Sequence, residues 1–225
     1  MTIKILCSTA LYAAMPKILE TFAIQSSEII DITYGTSVGL VQQCISHPDV
    51  DAVILTENGI EALLNHQLLI PASITPFAKT GLGMAIANDT KKFDISSKDA
   101  LIQTLLQCDS IAFTQLGASG MYFSKLIKQL GIEQEILAKA IRPEGGLVSE
   151  LVKNHQVQLA VQLVSEIKAV SDVHFLGFLP DELQEWSIFS IAQTNSPNSG
   201  TVQEFTEFLS STLIQQHIQE YGFIN

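Results

Sequence analysis

Strand-like and helix-like segments take turns along this chain, and that rhythm narrows its folds more than any single residue does. Ile3 to Cys7 is a short apolar run that predicts a strand, and Leu11 to Phe22 has helical spacing, with Pro16 tolerable in a first turn. Ile29 to Tyr34 is rich in β-branched residues and predicts a second strand, followed by Gly35-Thr36-Ser37 and a helix from about Val38 to Ser46. Ala52 to Leu55 reads as a buried strand and Glu57 to Leu64 as a helix. This βαβαβ order predicts an α/β fold built on a parallel sheet with helices on both faces.

The rhythm breaks around Thr80-Gly81-Leu82-Gly83, and the strand from Met84 to Ala87 is expected to cross to a second lobe. Beyond it come a helix over Lys98 to Gln107, a strand over Ser110 to Phe113, a helix from Met121 to Leu130, a helix from Leu147 to Asn154 and a strand over Gln158 to Val164. The strand from Trp186 to Ala192 is expected to return to the first lobe, Asn195 to Gly200 reads as a loop, and helical sequence runs on to Tyr221-Gly222-Phe223. The expected domains are residues 1–82 with 187–225, and residues 83–186.

With 225 residues the chain can bury most of its apolar surface without staples. Its net charge of −11 argues against nucleic acid and anionic membranes, which need clustered Lys and Arg, but not against a small anion held by local dipoles. Cys7, Cys44 and Cys108 show no CxxC spacing and read as buried free thiols. No apolar run reaches eighteen residues, so no membrane span is expected. Met1 to Cys7 reads directly as a first strand rather than as a leader, so the chain as written is expected in the cytoplasm, and in the periplasm if a signal was removed from it.

Four segments share one design, small or hydroxylated residues just before a helix: Ser8-Thr9-Ala10, Gly35-Thr36-Ser37, Gly117-Ala118-Ser119-Gly120 and Glu144-Gly145-Gly146. Each presents free backbone N–H groups, and the first three add hydroxyl donors. Any one of them alone is an ordinary helix cap. Two fall in each predicted lobe, so closing lobes would bring them around one anion. Arg142 is the only arginine, and its planar fork suits a carboxylate or oxyanion; the competing reading is a surface arginine paired with an acidic neighbour. His47, His66, His155, His174 and His217 are scattered without metal-ligand spacing, and no cofactor is implied. Ser119 is not in a GxSxG elbow, and Gly81 and Gly83 do not begin a GxGxxG fingerprint.

The chain resembles the molybdate-binding proteins of ABC transporters and their wider extracellular solute-binding group. The likeness rests on Ser8 to Met15 before the first helix, on Tyr34-Gly35-Thr36-Ser37-Val38-Gly39-Leu40, on Val50-Asp51-Ala52-Val53-Ile54, on Ala118-Ser119-Gly120-Met121-Tyr122, and on the terminal Tyr221-Gly222-Phe223. The resemblance implies a two-lobed, periplasmic-binding-protein-like (type II) α/β fold with a ligand cleft between the lobes. It implies that Ser37 binds ligand, and that Ser119 and Gly145 offer backbone N–H groups. Two expected donors depart from it: the first-loop serine falls on Ala10, and a tyrosine falls on Leu163. The ligand-binding candidates are therefore Ser8, Thr9, Ala10, Ser37, Ser119, Arg142 and Gly145, with no catalytic and no metal residues.

The resulting expectation is a monomeric protein that is not an enzyme. It binds a small anion, a molybdate-like oxyanion or a small organic carboxylate, and an ABC permease is the partner that the resemblance implies. A cytoplasmic sensor of the same fold, like the effector domain of a LysR-type regulator, is the alternative. A catalyst would need a positioned acid–base pair, and the sequence names none.

Overall fold

Strand β1 (Thr2–Ser8) buries Ile3, Ile5, Leu6 and Cys7 completely, and its neighbours follow from that. It lies between β2 (Ile29–Gly35) and β3 (Ala52–Thr56), parallel to both, with Ser8 opposite Gly35. Parallel neighbours require helical returns. These are α1 (Met15–Gln25), α2 (Ser37–Ser46) and α3 (Glu57–Asn65). A short 3-10 turn, Thr9–Leu11, precedes α1, so the helix begins later than its apolar spacing predicts. Pro16 stands in its first turn, where a missing N–H breaks no helical bond.

The computed structural model describes residues 2–196 and 199–224. The chain forms two compact units, residues 1–79 with 187–225, and residues 80–186. Strand β4 (Thr75–Ala87) leads out of the first unit. It is continuous over 13 residues and starts well before the predicted Met84, taking in Thr80 to Gly83, where the strand–helix rhythm is interrupted. The glycines there answer to packing. A Cβ on Gly81 would stand 2.9 Å from the Gln184 carboxamide and the Trp186 ring. One on Gly83 would stand 2.7 Å from Phe175 and Val164. Gln184 also donates to the Leu82 carbonyl and accepts from the Leu82 N–H, each at 2.8 Å, as a neighbouring strand would.

The second unit continues with α4 (Lys98–Gln107), β5 (Ile111–Ala112), α5 (Ala118–Gln129), α6 (Glu133–Leu137), β6 (Ala140–Ile141), α7 (Ser149–Lys153), β7 (Leu159–Leu163), α8 (Val164–Lys168) and β8 (Val173–Phe178). β5 runs parallel to both β6 and β7, whereas β7 and β8 pair antiparallel with β4. Two helix starts differ from expectation. α5 begins at Ala118 rather than Met121, with Gly117 as its extended N-cap. α7 begins at Ser149 rather than Leu147, with Val148 as its N-cap and Gly146 in left-handed backbone (φ 92°) before it.

Strand β9 (Trp186–Gln193) carries the chain back and pairs antiparallel with β3. Helices α9 (Ser199–Leu209) and α10 (Thr212–Glu220) follow. The predicted loop over Asn195 to Gly200 is shortened by α9, and its residues 197–198 lie outside the described ones. Phe22 of α1 packs edge-on against Phe205 at 5.0 Å.

Each unit has its own apolar core. Leu6, Leu40, Val53, Leu55 and Leu63 belong to one cluster, and Ala112, Val148, Val152 and Ala160 to another. All three cysteines are buried free thiols, and burial raises their pKa values, which keeps them unreactive. Among the described residues no helix is long and apolar enough to cross a membrane, and no cluster of His, Cys, Asp or Glu fits a metal ion.

Candidate anion-binding site

In the first unit the parallel pairing of β1 with β2 brings the Ser8-Thr9-Ala10 segment beside Gly35-Thr36-Ser37. Most donors of the first segment are already used, contrary to expectation. Ser8, 7% exposed, accepts from the Ala10 N–H at 3.4 Å, and the Thr9 hydroxyl donates to the Gly35 carbonyl at 2.9 Å. Ala10 is itself buried and offers no surface. The second segment is freer. Thr36 caps α2 by accepting from Gly39 N–H at 3.2 Å, while the half-buried Ser37 hydroxyl has no partner among the described residues. Tyr34 and the half-exposed Tyr12 meet edge-to-face at 5.1 Å beside these segments.

In the second unit three parallel strands, β5, β6 and β7, end on the same side. Open α/β sheets bind ligands beyond such carboxyl ends. Arg142 and Gly145 belong to the loops there, and Ser119 to the helix that follows β5. The loops are tied together: Gln115 N–H donates to Pro143 O at 2.8 Å, Leu116 N–H to Glu144 O at 3.1 Å, and the Gln115 side chain to Arg142 O at 2.7 Å. Ser119 lies inside the first turn of α5 rather than before it, and is 3% exposed. The α5 N-terminus has no side-chain cap, so the N–H groups of its first turn stay available to an acceptor. Gly145 does not stand at a helix start, since α7 begins four residues later.

Arg142 follows β6 directly. Its guanidinium lies over the Phe113 ring, 5.0 Å from the centroid, and Phe113 is braced edge-on by Phe123 at 5.0 Å. Among the described residues no carboxylate lies within ion-pair distance of it, and its Nε is buried without a partner. Such stacking fixes the plane of the guanidinium.

Other groups here carry no role in the sequence reading. Thr114 Oγ1, Ser149 Oγ, Gln162 Oε1 and Ser165 Oγ are buried and unpartnered, as is Arg142 Nε. Thr114 and Arg142 follow β5 and β6 closely, Gln162 lies near the end of β7, and Ser149 and Ser165 lie in the first turns of α7 and α8. Such atoms are rare in folded proteins, because each forfeits about 1–3 kcal/mol of solvation. Gln162 is 1% exposed and donates to Gly146 O at 2.7 Å. Glu166, half-buried in the first turn of α8, bonds back to the Leu163 N–H and to the Gln162 side chain. Burial pushes its carboxyl up to about 7, against the pull of those two bonds. Leu163 is buried and offers no hydroxyl. One sequence signal was present: Gln162 is the only polar residue in the apolar run Leu159 to Val164.

The chain matches the model of the bacterial extracellular solute-binding protein family over residues 3–224, and it belongs to that family. It has the two-lobed periplasmic-binding-protein fold. The periplasmic molybdate-binding protein of Azotobacter vinelandii superimposes with a TM-score of 0.83 at 16% identity, over 99% of both chains. PEB3 of Campylobacter jejuni, solved with L-phospholactate bound, gives 0.76 at 11% identity, again over 99% of both. An aconitate isomerase from a Pseudomonas species is 24% identical over 98% of this chain and 87% of its own length.

Proposed function

We propose that this protein binds a small organic anion carrying a carboxylate, as the solute-binding component of an ABC transporter. The observation that carries the reading is Arg142, stacked on Phe113 without an acidic partner and with its own Nε buried and unpartnered. A planar carboxylate matches the guanidinium fork, whereas a tetrahedral oxyanion has lost hydroxyl partners at Ala10 and Leu163. The test is a thermal-shift screen of molybdate, phosphorylated hydroxy acids and di- and tricarboxylates. At a hundredfold excess over its dissociation constant the right ligand stabilises the fold by about 2.7 kcal/mol, a rise on the order of 5–10 °C. A rise with molybdate alone would sink the carboxylate reading. Ligand-driven closure of the two units belongs to the same proposal, and small-angle scattering should show the radius of gyration fall on binding.

Ser37→Ala removes a hydroxyl that has no partner within the protein. It is expected to weaken binding by roughly tenfold, the share of one charge-assisted hydrogen bond, while the melting temperature of the free protein stays where it was. Titration calorimetry of an unchanged affinity would remove Ser37 from the site.

A second reading is favoured by the likeness to an aconitate isomerase along 98% of the chain. In this reading the bound anion is an unsaturated polycarboxylate and the protein shifts its double bond. The expectation that binding is the whole activity then fails, and conversion of cis- or trans-aconitate on incubation is the deciding measurement.

A further inference from the structure

The segment from Phe113 to Leu116 holds Arg142 from two sides. The Phe113 ring lies under its guanidinium, 5.0 Å from Cζ to the ring centroid, and Gln115 reaches its main chain. The Gln115 side chain donates to Arg142 O at 2.7 Å, the Gln115 N–H to Pro143 O at 2.8 Å, and the Leu116 N–H to Glu144 O at 3.1 Å. The first half of the loop between β6 and α7 thereby continues the pairing of β6 with β5.

The second half is held from β7. Gly146 turns the chain through left-handed backbone (φ 92°), and a Cβ there would meet nothing within 4 Å, so the glycine serves the turn and not the packing. Its carbonyl accepts from the Gln162 carboxamide at 2.7 Å. Gln162 stands on a strand paired on both sides, with β4 and with β5, so the donor has a stiff base. Gln162 Oε1 is buried and, among the described residues, has no partner, in a strand whose other residues are apolar. An apolar side chain of the same length would remove that unsatisfied oxygen, so stability does not account for a glutamine here. What it would give up is the bond to the loop.

We propose that Gln115 and Gln162 are positioning residues, two carboxamides that grip the loop at Arg142 and at Gly146 and so fix where the guanidinium stands. The proposal rests on the reading of Arg142 as the anchor of a bound carboxylate. An arginine holds an anion well when its plane and its main chain are already set, because each freedom frozen on binding subtracts from affinity. Phe113 sets the plane. The place from which the side chain starts is set by the loop, and the two carboxamides hold the loop at both ends.

Arg142 is the only arginine, so nitrogen-labelled full-length protein gives a single guanidinium Nε–H signal in nuclear magnetic resonance. In the native protein this signal should exchange slowly with water, since Nε is buried, and should be displaced by the ring current of Phe113. The same signal in urea marks its position away from the ring, and Arg142→Lys removes it. Gln115→Met and Gln162→Met keep the side-chain length and drop the donor. Each should move the signal toward its position in urea and speed its exchange by roughly fivefold to tenfold, the gain in local opening that one lost hydrogen bond allows. The melting temperature of Gln162→Met should not fall, which separates positioning from support of the fold. An unmoved signal in either variant would overturn the role of that glutamine, and a signal that moves only together with a fall in melting temperature would overturn positioning in favour of a structural part. The signal reports on the loop without any ligand. A screen in which no carboxylate raises the melting temperature therefore sinks the binding reading and leaves the hold on Arg142 to be decided by the signal alone.

Discussion

Arg142→Ala is expected to weaken carboxylate binding by about a hundredfold, roughly 2.7 kcal/mol, and Arg142→Lys by at least tenfold although it keeps the charge. The reason lies in how the guanidinium is held. Phe113 and Phe123 are fully buried and fix the plane on which it rests. Little rotational freedom is then lost when a ligand arrives, and two parallel hydrogen bonds can form at once. Lysine offers neither plane nor fork. The free protein should tolerate both changes, because no carboxylate among the described residues depends on Arg142 for its charge. Calorimetric titration with the ligand found by screening measures the effect. An affinity within twofold of native for both variants would place the ligand elsewhere.

Gly120→Ala is expected to be worse for the fold than Ser37→Ala or either change at Arg142. A Cβ at this position would lie 1.8 Å from the Thr114 carbonyl oxygen and 2.6 Å from its carbonyl carbon, and these are backbone atoms that cannot swing aside. The first turn of α5 would have to lift from the end of β5. Overpacking of a rigid core costs about 3 kcal/mol or more, which for a chain of this length lowers the melting temperature by roughly 6–12 °C. Gly200→Ala is the control. It adds the same methyl within α9 where nothing lies within 4 Å, so it should leave stability unchanged or raise it by a few tenths of a kcal/mol. Comparable melting temperatures for the two variants would show that α5 yields to accommodate the clash.

The same glycines show what a sequence can and cannot disclose. The runs Ile29 to Tyr34 and Ala52 to Leu55 declare themselves as strands through β-branched or apolar content, and α4 through its helical spacing and the Ser97 cap. Gly81 and Gly83 do not disclose their cause, because a glycine required by a side chain arriving from about 100 residues away looks the same as one required by a turn. β8 hides for another reason. Each of its six residues is half-buried, so it shows no alternation of apolar and polar positions. In the site, Arg142 and Ser37 were legible as residue types. Lack of a partner is not a property of a residue type, so Thr114 and Gln162 gave little sign of their situation. Glu166 looked like any acid in a first helical turn, and only burial sets it apart.

The two groups of loops are anchored to separate apolar clusters, one around Leu6, Leu40 and Val53, the other around Ala112, Val148 and Val152. Substitutions in the β5, β6 and β7 loops can therefore accumulate without cost to the framework that positions Ser37, and the reverse holds as well. In a chain built this way, the surface presented by one set of loops can be revised while the other set keeps its footing.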